Sequence, residues 1–132
     1  MKVELVTEGS PECPLVRFYS SDPAEFRHFR SLTNSLGGNV ERSVELGAAE
    51  GFTLLGLSGA RLTNTGNNGM AEEAGGLVRW SLSPDAWQAV AELIDPLCSQ
   101  TAVGSFQWLD EAGGLCSSGV SVLASVSDRG HW

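Results

Sequence analysis

Polar and apolar residues alternate in Lys2-Val3-Glu4-Leu5, the period of a strand with one buried face. Leu15 to Tyr19 predicts a second strand, with Val16 and Phe18 on one face and Leu15, Arg17 and Tyr19 on the other. The turn between them falls on Glu8 to Pro14, where Gly9, Ser10, Pro11 and Pro14 cluster. The period then becomes helical. Asp22 and Pro23 open a helix, Glu25 completes a capping box, and Phe26, Phe29, Leu32 and Leu36 form one stripe. Gly37-Gly38 predicts its stop in a left-handed cap. Two further strands are expected over Arg42 to Leu46 and Phe52 to Leu62, the second interrupted by Gly56 and Gly59. Thr63 to Gly76, rich in Asn and Gly, predicts a long loop.

The pattern then recurs. Leu15-Val16-Arg17-Phe18 followed by Ser21-Asp22-Pro23 returns as Leu77-Val78-Arg79-Trp80 followed by Ser83-Pro84-Asp85. Leu77 to Leu82 predicts a strand, and Ser83-Pro84 opens a helix whose stripe is Trp87, Val90, Leu93, Ile94 and Leu97. Pro96 ends or kinks that helix. Strands over Ser105 to Leu109 and Val120 to Val126 close the chain. A motif written twice points to a supersecondary unit that buries its apolar face against its copy. The expectation is one α+β domain over residues 1–132, with pseudo-repeat halves at about 14–63 and 76–127 joined by a loop at 64–75. Two βαββ-like repeats would form an antiparallel sheet with two helices packed on one face, leaving the other face open.

Composition narrows the partners. Sixteen acidic against eight basic residues give a net charge of -8, which repels phosphate backbones, and the arginines are scattered along the chain. Nucleic acid is therefore not an expected partner, and a basic protein or a cation suits the surface better. No apolar run reaches the about 20 residues of a membrane span, so no membrane partner is expected. The start, Met1 to Leu5, lacks the apolar run of a signal sequence. Cys13, Cys98 and Cys116 form no metal-ligand spacing and cannot all pair, which suits reduced thiols in a cytoplasmic protein.

Candidate chemistry is sparse. Arg17 and Arg79 hold equivalent places in the two copies, and strand alternation sends both to the open sheet face. There they would frame a small anion or carboxylate, with Tyr19 beside them. The plainer reading makes each a solvent-side residue paired with a neighbour such as Glu4 or Glu45. Trp108 before Asp110-Glu111, and Trp132 beside His131, would serve as aromatic contacts next to carboxylates for a basic partner. Trp108 also reads as core, packed with Phe106, while Trp80 and Trp87 fall on core faces. His28 flanks the first helix stripe, and neither histidine has a ligand-spaced partner. Paired modules of this kind resemble those of metal-dependent lyases and dioxygenases, whose ligands are strand histidines and carboxylates. No predicted strand here carries a histidine, which counts against that chemistry. The loop Thr65-Gly66-Asn67-Asn68-Gly69 lacks the following helix and lysine of a phosphate cradle.

No catalytic residue, metal site or cofactor is assigned, and the sequence leans away from an enzyme. The expected function is a small acidic binding or inhibitory module that engages a basic protein, as an immunity protein, antitoxin or regulatory subunit does. The alternative is a small-ligand-binding domain or an enzyme with a cleft on the open sheet face near Arg17, Tyr19 and Arg79. A homodimer through a sheet edge or face is a third option.

Overall fold

The computed structural model describes residues 1–7, 14–65, 69–73, 76–99, 102–109 and 120–127. Among them the chain forms β1 (Lys2–Val6), β2 (Leu15–Ser20), α1 (Pro23–Gly37), β3 (Ser43–Glu45), β4 (Thr53–Leu55) and β5 (Gly59–Asn64). It continues with β6 (Gly69–Glu73), β7 (Leu77–Leu82), α2 (Pro84–Ile94), a 3-10 turn at Asp95–Cys98, β8 (Phe106–Trp108) and β9 (Ser121–Val126). The class is α+β, with helices packed on sheet.

The strands form two mixed sheets instead of one antiparallel sheet. One runs β4-β1-β2-β9-β8 and the other β3-β5-β7-β6. In the first, β1 is antiparallel to β2 and parallel to β4, while β9 is parallel to β2 and antiparallel to β8. In the second, β5 is antiparallel to β3 and parallel to β7, and β6 is antiparallel to β7. The first sheet joins strands from early and late in the chain, whereas the second is built entirely from residues 43–82; the junctions β2/β9 and β5/β7 are parallel. The Leu-Val-Arg-aromatic runs occupy β2 and β7, and each leads directly into a helix.

Two local expectations change with this topology. The interrupted strand over 52–62 is two strands in different sheets, because Gly56, at φ +70°, adopts the left-handed backbone that glycine tolerates and redirects the chain. The expected loop at 64–75 contains β6, which pairs with β7 from Gly69↔Ser81 to Glu73↔Leu77. Hairpin pairing to β7 overrides the turn-rich composition there.

The helix starts follow the sequence. Asp22 accepts from the Ala24 amide and Ser83 from the Ala86 amide, with Pro23 and Pro84 in the first turn, where no amide partner is needed. The end of α1 differs from expectation: Gly38 has φ −89°, and the left-handed residue is Asn39 at φ 59°. Asparagine tolerates that region because its short side chain bonds locally, and here Asn39 Oδ1 accepts from Asn64 Nδ2 at 2.7 Å. Gly37 lies where a Cβ would come within 2.8 Å of Gln88 Cγ, so the absent side chain lets α1 approach α2 closely.

One apolar cluster joins the sheets and helices. Phe18 of β2 stacks on Phe29 of α1 at 4.6 Å between ring centroids and lies 6.1 Å from Trp80 of β7. Trp80 meets Trp87 of α2 edge to face at 4.8 Å, and the Trp87 indole N–H donates to the Thr63 carbonyl oxygen at 2.9 Å. Thus the core of one sheet is closed by aromatics from the other.

Candidate functional site

The outer face of the β4-β1-β2-β9-β8 sheet is not open at its centre. Every residue of β2 is buried, including Arg17, 2% exposed, and Tyr19, 1% exposed. Leu123 and Ser125 of β9, beside them in the ladder, are buried as well. Arg17 Nε donates to Ser125 Oγ at 3.0 Å, and its guanidinium lies 4.4 Å from the Tyr19 ring centroid. Glu4 stands opposite Arg17 across the β1/β2 pair, and its Oε1 is buried without a hydrogen-bond partner among the described residues. Burial lowers the Arg17 pKa, against the opposing influence of Tyr19 and Glu4. Burial and the Glu4 charge raise that of Tyr19, against Arg17.

Arg79 is elsewhere. It lies exposed on β7 in the second sheet, opposite Arg61 of β5. The two repeat arginines therefore cannot frame one anion from a common sheet face, because the lead-in strands belong to different sheets. Glu45 pairs with Arg61, Oε2 to Nε at 3.3 Å. Trp108 is half-buried on edge strand β8, but Phe106 is 60% exposed, so the two do not form the expected core pair. A three-residue edge strand has a partner on one side only, which leaves Phe106 outside the packed core. Asp110, Glu111 and Trp132, together with Cys13, Cys116 and His131, lie outside the described residues. His28 is exposed on α1 with Nε2 3.1 Å from the Glu50 carbonyl oxygen. Cys98 is buried, its Sγ 3.7 Å from the Ile94 carbonyl oxygen, and burial pushes its thiol pKa up, away from nucleophile chemistry.

A cavity of about 240 Å³ opens where β2 and β9 end and α1 begins, lined by Met1, Lys2, Tyr19, Ser20, Ser21, Glu25, Thr53 and Ser127. Parallel pairing of β2 with β9 brings Ser20 and Ser127 together there, with the Ser127 amide donating to the Ser20 carbonyl oxygen at 3.0 Å. Glu25 departs from the expected capping box. Its Oε2 accepts from Ser20 Oγ at 2.6 Å and pairs with the Met1 ammonium at 2.5 Å, while the Asp22 amide turns to Ser20 Oγ. The Met1 ammonium also donates to the Gly51 carbonyl oxygen at 2.6 Å. Burial alone would raise the Glu25 pKa. Bonds from the ammonium and from Ser20, with the charges of the ammonium and Lys2, outweigh it and hold the carboxyl below its ordinary value.

Of the sequence-derived candidates, this cavity gathers Tyr19 alone. The sequence marked Glu25 only as a helix cap and gave no motif for Lys2, Ser20, Thr53 or Ser127, since Lys2, Thr53 and Ser127 reach Ser20 and Glu25 through the β1/β2, β1/β4 and β2/β9 pairings. No group of three or more His, Cys, Asp or Glu placed to hold a metal occurs among the described residues. No helix among them is long and apolar enough to cross a membrane. No protein-family model, curated protein or solved structure matches the chain. Function is therefore read from the residues themselves.

Proposed function

We propose that the chain is a binding or inhibitory module for a basic protein partner, in the manner of an immunity protein, antitoxin or regulatory subunit. The supporting observation is how the charges are distributed. Helical spacing puts Asp85, Gln88, Glu92 and Asp95 along one side of α2 and its 3-10 extension, all exposed, and α2 contains no Lys or Arg. Asp85 and Glu92 make no ion pair among the described residues. Much of the positive charge is engaged: Arg17 is buried, Arg30 pairs with Asp95, Arg61 pairs with Glu45, and Arg27 donates to the Cys98 carbonyl oxygen. Unpaired exposed carboxylates on a chain of net charge -8 speed encounter with a cationic surface and offer it charge-assisted hydrogen bonds.

The test is retention of proteins from the native cell extract by the immobilised chain, compared with the variant Asp85→Asn/Glu92→Gln. A basic protein held at low salt, released at high salt and lost from the variant supports the reading. Equal retention by both forms overturns the assignment to α2, and the absence of any salt-sensitive partner overturns the function.

The cavity beside α1 favours a second reading, a small-ligand-binding domain, with its site at the ends of β2 and β9 instead of on an open sheet face.

A further inference from the structure

We propose that the cavity at the ends of β2 and β9 binds a small zwitterion, a free α-amino acid, between Lys2 and Glu25. The inference rests on the small-ligand reading above and adds the chemistry of the ligand. At about 240 Å³ the cavity is smaller than those that take drug-sized molecules, roughly 300–1,000 Å³, and suits a smaller occupant. All of its lining residues except Met1 carry polar side chains.

Both charges the ligand needs are present. Glu25 commits Oε2 to Ser20 and the Met1 ammonium, while its Oε1 makes no hydrogen bond among the described residues. Lys2 is exposed, makes no ion pair among those residues, and holds its ammonium 5.9 Å from the centroid of the Tyr19 ring that forms part of the wall. Lys2 is near enough to help keep Glu25 ionised, yet the two are not in ion-pair contact. Ser21 and Thr53, both exposed, add hydroxyls at the rim. A lone amine bound at Glu25 would face the ammonium groups of both Lys2 and Met1, and a lone carboxylate bound beside those ammoniums would leave Glu25 Oε1 without a donor. A ligand with both charges a few bonds apart meets each with its opposite.

The experiment is an NMR titration of the full chain with a panel of the common L-amino acids, with propionate and ethylamine as single-charge counterparts of alanine. Saturable shifts at the amides of Lys2, Ser20, Ser21, Glu25 and Thr53 are expected from at least one amino acid. Propionate and ethylamine should bind about tenfold more weakly or not at all, since each forfeits one charge-assisted contact. Lys2→Met and Glu25→Gln should each weaken binding by about tenfold. Lys2 is exposed and in no ion pair among the described residues, so its variant keeps the test valid if Glu25→Gln perturbs the fold. Equal binding of ethylamine or propionate overturns the zwitterion while keeping a small-ligand site. Silence from the whole panel and both counterparts overturns the two together. Unchanged affinity in Lys2→Met also overturns the proposal.

Discussion

Trp87 is fully buried, and its indole N–H satisfies the Thr63 carbonyl oxygen. Trp87→Phe would remove that donor and leave a void beside Trp80, and both effects destabilise. The expected loss is on the order of 2–3 kcal/mol, read as a fall in the urea midpoint with little change in slope. Glu25 makes a pH-dependent contribution. Its pKa is depressed on folding, so the stability it confers is present above the ordinary glutamate value, about 4.3, and is lost as pH falls through the folded value. Acid unfolding of Glu25→Gln should accordingly show a shallower loss of stability below that pH than the parent; identical acid limbs would contradict this. At this scale the sequence was legible where hydrophobicity decides: Phe18, Phe29, Trp80 and Trp87 read as core and are core. It misled where burial is collective. Strand alternation gives the correct face to Arg17 and Tyr19, but cannot tell that the face is closed.

The helices were largely readable because caps and stripes are local. Asp22, Ser83 and the prolines mark both starts, and Pro96 falls in the 3-10 turn that ends α2. Strand membership was not, since hydrogen-bond partners lie far off in sequence. Nothing in Thr53-Leu54-Leu55 distinguishes a neighbour of β1 from a continuation of β5. The switch lies at Gly56, where φ is +70° and, among the described residues, an added Cβ would meet only the Leu5 carbonyl oxygen at 3.7 Å, an ordinary contact. Backbone strain without a clash is the expected penalty for a side chain there. Gly56→Ala should cost roughly 1–2 kcal/mol, and Gly56→Asn less, because asparagine tolerates the left-handed region. Thermal unfolding of the two variants measures the difference, and equal midpoints for Ala and Gly would contradict the assignment.

Across the whole molecule, the first sheet closes end to end, with β2 taking β9, while the second is assembled from residues 43–82 alone. One apolar cluster spans residues from Met1 to Val126. The candidate cavity depends on the β2/β9 pairing, which explains why a motif search along the sequence could not assemble it. Charge was different: a net value of -8 is legible from composition, and folding decides where it is displayed. With Arg17 buried and Arg30 and Arg61 paired, Asp85 and Glu92 of α2 stand exposed without an ion pair among the described residues. The most direct test of the account measures the association rate of the chain with its captured basic partner across a series of salt concentrations. The rate is expected to fall steeply as salt rises, with a slower, flatter profile for Asp85→Asn/Glu92→Gln. A rate indifferent to salt, or superimposable profiles for the two proteins, would contradict it.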